Sequence, residues 1–206
     1  MLDLSVKGFL EQLASDAPAP GGGSAAALSG SMAAALVTMV ANLTQGREKF
    51  AAVEETMTAM NSEGTGLRLE LSRLMEEDTA AFQQVMAALR LPKATAAEKA
   101  ERSARLQGAM VKAAQVPLTT AETALKVLNL ALTAAEKGNP AAASDVGVAA
   151  LLARTAVEGA ALNVKINLSS IKDATVKEEL RERTEQAIRK PRTLEEKVLA
   201  QVESRL

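Results

Sequence analysis

The chain contains no histidine, cysteine, tryptophan or tyrosine, and only three phenylalanines. Without cysteine there is no disulfide, no thiolate nucleophile and no iron–sulfur cluster. The lack of both histidine and cysteine argues against a structural zinc site, and a Ser-His-Asp triad cannot be assembled. If the protein is an enzyme, its proton-transfer groups must come from Asp, Glu or Lys. Phe9, Phe50 and Phe82 are too few and too scattered to stack single-stranded bases. A formal net charge of −1, from 24 basic and 25 acidic residues, argues against a dedicated nucleic-acid binder.

What is present is mostly helix-forming. The 206 residues are 48% hydrophobic and 24% charged, the balance of a soluble globular protein. Alanine makes up about a fifth of the chain, well above ordinary usage, and strand-like alternation is hard to find. These features predict an all-α bundle of long antiparallel helices in a single domain spanning 1–206. Small residues such as Gly23, Ala27, Ser31 and Ala35 would let helices approach closely, within a protomer or across a dimer. Ala25 to Leu43 carries no charge, but its Ala, Ser, Gly and Met content favours a buried core helix over a membrane span. The amphipathic start, with Asp3, Lys7 and Glu11 at helical spacing, does not read as a signal peptide, so a cytoplasmic location is expected.

Breaks and capping signals divide the bundle. The pattern predicts helices near Ser5–Ser15, Ser24–Leu43, Lys49–Arg90 (relaxed around Gly64–Gly66), Thr95–Lys137 and Ser144–Ser169. Pro117 should kink or divide the fourth. Thr95 and Glu98 form a capping box, and Gly138-Asn139-Pro140 is a helix stop. Asp173 or Thr175 opens a last helical region, interrupted at Pro191 and resuming from Thr193 with Glu196 as a second box.

Four groups of residues could carry chemistry. Gly21, Gly22 and Gly23 precede Ser24, a natural N-cap, and would expose backbone N–H groups to a ligand; a tight turn explains them as well. Asp78 sits on an apolar stripe with Leu71, Leu74, Met75, Ala81, Phe82, Val85 and Leu89, where burial should raise its pKa. That suits an acid/base group, and equally an interhelical salt bridge or hydrogen bond. Asp145 lies in the first turn of its helix, where the dipole favours the ionised form; simple helix stabilisation also accounts for it. Asn163 shares that helix's face ~27 Å away, with Asn167 slightly off it, and both suit interhelical hydrogen bonds. Arg47, Lys49 and Lys93 occupy loop positions fit for anion capture or for plain solvation.

Read together, the motifs resemble a known family. Ala17-Pro18-Ala19-Pro20-Gly21-Gly22-Gly23-Ser24 is similar to the glycine motif of the formiminotetrahydrofolate cyclodeaminase/methenyltetrahydrofolate cyclohydrolase family. Asn42-Leu43-Thr44 with Gly46-Arg47-Glu48-Lys49-Phe50 resembles its next block. Asp78-Thr79-Ala80-Ala81-Phe82, Leu91-Pro92-Lys93, Gly138-Asn139 through Ser144-Asp145-Val146-Gly147, and Gly159 through Asn167 follow in order. The resemblance implies an all-helical homodimer acting on a tetrahydrofolate derivative. It implies one of two reactions: hydration of 5,10-methenyltetrahydrofolate to 10-formyltetrahydrofolate, or closure of 5-formiminotetrahydrofolate with loss of ammonia. Leu91-Pro92-Lys93 and Val116-Pro117-Leu118 look closest to stand-alone bacterial cyclohydrolases.

On that reading Asp78 and Asp145 are the catalytic candidates. Arg47, Lys49 and Lys93 would hold the substrate's anionic tail, and the glycine loop, Ser24 and Asn163 would line its site. No metal, redox cofactor, nucleic acid or membrane is expected. The competing class is a non-catalytic helical dimerisation module, in which the glycines and Asp residues serve packing alone.

Overall fold

The structure, a computed structural model, describes all 206 residues. It is all helical, as expected. Seven α-helices follow in order: α1 Val6–Leu13, α2 Gly22–Thr44, α3 Glu54–Leu89, α4 Ala96–Lys137, α5 Ala143–Leu168, α6 Ala174–Ala187 and α7 Pro191–Glu203. Short 3₁₀ turns at Glu48–Val53 and Pro140–Ala142 lead into α3 and α5.

The capping chemistry explains most of these boundaries. Ser5 caps α1, Asp173 caps α6, and Thr95 with Glu98 forms the full capping box of α4. Four expectations need correction. Ser24 is not a cap: α2 begins two residues earlier, with Gly21 at the N-cap, and Ser24 lies inside the first turn. Helix α3 runs without a break through Gly64 and Gly66. Gly64 is needed for contact, since a Cβ there would lie 2.6 Å from Thr38 Oγ1 on α2. Helix α4 is one continuous element through the buried Pro117, held by packing on both sides. Finally, α7 starts with Pro191 at its first turn, where a proline needs no N–H partner, so no second capping box forms at Thr193.

Helix α2 is the spine of the bundle. It packs between α3 and α5, with α4 behind all three and α6 and α7 against the α4–α5 pair. Alanine and glycine make this possible. Gly30 sits where a Cβ would come within 3.1–3.3 Å of Leu71 on α3 and Ala156 on α5. Ala27, Ala33, Ala34 and Val37 are fully buried. Hydrogen bonds tie the same helices: Ser29 Oγ donates to Leu152 O at 2.9 Å, and Ser31 Oγ lies 2.9 Å from Ser72 Oγ. Of the proposed small-residue face, Gly23, Ala27 and Ser31 are buried, whereas Ala35 is exposed. Gly22–Thr44 is long and apolar enough to cross a membrane, but most of its apolar window is buried among the other helices.

The contacts fix direction. Gly22 meets Asn163 at one end of α2, and Thr44 meets Asn139 at the other. Gly23 meets Asp78, whereas Thr38 meets Gly64. So α2 is antiparallel to both α3 and α5, and the bundle has two distinct ends ~33 Å apart along α2.

Candidate active site

A cavity of about 320 Å³ lies at the N-terminal end of α2, walled by α3, α4 and α5. Its floor is the glycine run. The N–H groups of Gly22 and Gly23 make no bond within the chain, because the first backbone bond of α2 is from Ala25 N to Gly21 O. These donors and the positive end of the helix dipole face the cavity. Phe82, Val85 and Met110 form an apolar wall.

Asp78 enters from α3 as the only ionisable group in the lining. It is brought against α2 at Gly23, where a Cβ would fall 2.6 Å from the carboxyl carbon. Only glycine permits that approach. The carboxyl Oδ2 accepts the Ser24 hydroxyl at 2.9 Å, and the Ser24 backbone N–H also points at the carboxylate. Ser24 Oγ lies 3.3 Å from Thr79 Oγ1 as well. Burial pushes the Asp78 pKa up, and the two Ser24 hydrogen bonds oppose that rise without cancelling it. No salt bridge forms at Asp78, so its charge is solvated by neutral dipoles alone.

Across the cavity stand two amides from α5. Asn163 Nδ2 donates to Gly159 O of its own helix at 2.9 Å, and the amide lies 3.5 Å from where a Cβ on Gly22 would sit. Asn163 therefore makes no interhelical bond. Asn167 does, donating to Ala113 O on α4 at 2.7 Å.

The structure brings together Gly21, Gly22, Gly23, Asp78 and Asn163 in one lining, with Ser24 immediately behind. It does not bring the others to that cavity. Asp145 is half-buried in the first turn of α5, at the opposite end, with no hydrogen bond or ion pair within the chain. A straight helix separates it from Asn163, so the two Asp residues cannot act on one small group within a protomer. Arg47 and Lys49 lie just beyond the C-terminus of α2, also at the far end, and Lys93 is exposed between α3 and α4. Sequence reasoning missed the role of Ser24 as a donor to Asp78. The signal was available: Asp78 lay on a core stripe with no cation at helical spacing, so its partner had to come from another helix.

Taken together, the geometry defines an all-helical protein with a lone carboxyl of raised pKa in a cavity set against a helix N-terminus. The profile of the formiminotransferase-cyclodeaminase family matches residues 5–186. The chain belongs to this family. It is 42% identical over 202 residues to the methenyltetrahydrofolate cyclohydrolase of Methylorubrum extorquens, covering 98% of this chain and 97% of that one. It is 35% identical over 205 residues to the formimidoyltransferase-cyclodeaminase of Rattus norvegicus, spanning 38% of that longer protein. The crystal structure of formiminotetrahydrofolate cyclodeaminase from Thermotoga maritima superposes with a TM-score of 0.88 at 31% identity, covering 98% of each chain.

Proposed function

We propose that the protein is a methenyltetrahydrofolate cyclohydrolase, adding water to 5,10-methenyltetrahydrofolate to give 10-formyltetrahydrofolate. The observation that carries this reading is a lone carboxyl of raised pKa, held at a helix N-terminus beside an apolar wall. The methenyl bridge is a cationic amidinium carbon. The Asp78 carboxylate attracts that cation and takes a proton as water forms the new C–O bond. The protonated carboxyl then returns a proton to the ring nitrogen N5 as the C–N5 bond breaks. One proton is released overall, and no electron changes hands, so neither metal nor redox cofactor is needed. A raised carboxyl pKa suits both halves of this cycle. Phe82, Val85 and Met110 provide a surface for the flat pterin, and the amide of Asn163 faces its polar edge.

Similarity to the cyclodeaminases favours a second reading on the same geometry. There N10 of 5-formiminotetrahydrofolate attacks the formimino carbon, and the Asp78 carboxyl protonates the departing ammonia. We also assign the protein to the cytoplasm as a homodimer. An absorbance assay of purified protein with each compound tests these readings. Loss of the methenyl chromophore under multiple turnover is expected. Turnover of the formimino compound alone would establish the second reading, and turnover of neither would leave a non-catalytic helical module.

A further inference from the structure

Pro117 lies in the interior of α4, and its effect is felt in the Asp78 cavity. A proline has no N–H, so the carbonyl of Ala113, four residues earlier, lacks the donor an α-helix would give it. Ala113 belongs to the cavity lining. A carbonyl left unpaired under a bound ligand is costly, because the ligand also shuts out water. Helix α5 supplies the missing donor: Asn167 Nδ2 donates to Ala113 O at 2.7 Å.

This bond also fixes which way the Asn167 amide points. An asparagine side chain has a donor end and an acceptor end, whereas a carbonyl oxygen only accepts. Turned the other way, Asn167 would set its own oxygen against Ala113 O. Nδ2 is therefore committed to α4, and Oδ1 receives no hydrogen bond from the chain. Asn163, one turn earlier, has the same polarity. Its Nδ2 donates to Gly159 O at 2.9 Å, and its Oδ1 is likewise unpaired. The two residues differ in what holds them. Gly159 O has a main-chain N–H four residues on, at Asn163, and Ala113 O has none. The Asn167 amide is thus the one held in place by an unmet need of its neighbour.

Both asparagines line the cavity from α5, ~6 Å apart along the helix. That wall accepts hydrogen bonds. The floor does the reverse, since the N–H groups of Gly22 and Gly23 are unspent. A flat ligand that suits both must carry an acceptor and several donors on one edge. The 2-amino-4-oxopyrimidine ring of a pterin does so, with a carbonyl oxygen next to a ring N–H and an exocyclic amino group.

We infer that Asn167 is a specificity-determining residue: its Oδ1, aimed by the carbonyl that Pro117 leaves unpaired, accepts from the N–H donors of the pterin edge. The ligand's identity rests on the folate reading; the orientation of the amide does not.

A double-mutant cycle separates the tie to α4 from the contact with the ligand. Asn167→Leu is close to isosteric and can neither donate nor accept. Alone, it should lower Tm and raise KM for methenyltetrahydrofolate ~10-fold or more, with kcat changed less than ~3-fold. Pro117→Ala returns a main-chain N–H to Ala113 O. In that background Asn167→Leu should lower Tm by less than half as much, while the rise in KM persists. Asn167→Asp in the same background keeps an acceptor and should bring KM back to within ~3-fold of the Pro117→Ala parent.

An equal loss of Tm in both backgrounds would overturn the link between Pro117 and Asn167. A KM effect that disappears with the Tm effect, or that aspartate does not relieve, would make Asn167 a structural tie and overturn its role in specificity. A measurement on the unaltered chain checks the orientation independently. The Asn167 side-chain amide protons, assigned in nitrogen-15 spectra by their loss in Asn167→Leu, should be protected from exchange with solvent; free exchange would overturn the inference. If the unaltered protein turns over no folate, the folate reading fails and the ligand contact with it, while the Tm cycle and the exchange measurement still decide the orientation of the amide.

Discussion

The two ends of α2 are built from similar parts and do opposite things. At the far end the polar groups satisfy one another. Asn139 N donates to Thr44 Oγ1 at 2.9 Å, its side-chain amide donates to Leu43 O at 3.2 Å, and its Oδ1 accepts from Ala141 N at 3.1 Å. Thr44 Oγ1 in turn donates to Val40 O, and Arg205 donates to Gly138 O at 3.1 Å. At the near end, a half-buried carboxyl has Ser24 as its hydrogen-bond donor, and two helix N–H groups face open space. A closed network specifies structure, whereas an open one is available to a ligand. The buried Asn139 and the half-buried Asp78 on one bundle thus differ most in the saturation of their neighbours.

That contrast can be broken first at Asp78. Asp78→Asn should lower kcat by ~10²-fold or more with the methenyl substrate, the scale for a lost general acid or base. The same change should raise Tm at neutral pH. The folded pKa of Asp78 lies above its unfolded value, so its contribution to stability is fully present below the unfolded value and is lost as pH rises through the folded one. Above that window the ionised carboxyl weighs on the fold, and asparagine removes the weight. Melting curves across the acid range should show the advantage of the variant shrinking as pH falls. A lower Tm with unchanged turnover would make Asp78 a structural residue like Asn139.

Gly138→Ala tests the far end. Its Cβ would lie 2.6 Å from Ala134 O and 2.8 Å from Val40 Cγ1, so overpacking should cost ~1–3 kcal/mol of stability with kcat per folded molecule intact. Denaturant unfolding and a rate assay on the same preparation decide it. The smallest effect is expected for Gly22→Val. Its Cβ meets only the Asn163 amide at 3.5 Å, so the fold should tolerate it to within ~0.5 kcal/mol, while KM rises several-fold as the branched side chain fills the cavity floor. Unchanged KM would return the glycine run to a plain turn.

The helical class, the capping box at Thr95, the Asp173 cap and the stop at Gly138-Asn139-Pro140 were all legible, because each depends on residues within one turn of each other. So was Asp78, through the stripe it interrupts. What could not be read was set by contacts between helices. Ser24 looks like a cap until α3 presents Asp78 to it. Pro117 looks like a break until packing on both sides keeps α4 continuous. Gly64 looks like a loosening of α3 until Thr38 requires the space. Asp145 and Asp78 looked like a pair because both were conspicuous, but only the antiparallel course of α2, α3 and α5 shows that they lie at opposite ends of the bundle.

The contact of Gly23 with the Asp78 carboxyl has one further consequence. The carboxyl is located less by a web of ligands than by the register of one helix on another. A slide of α2 by a single residue along α3, ~1.5 Å, would carry Gly23 out from beneath the carboxyl and bring a neighbouring Cα into its place. With Asp78 in its proposed role, turnover becomes a gauge of interhelical alignment. Heat, pressure or a strained linker that shifts α2 slightly should silence the protein while its helical content and compactness are still intact, so loss of activity should precede loss of circular dichroism.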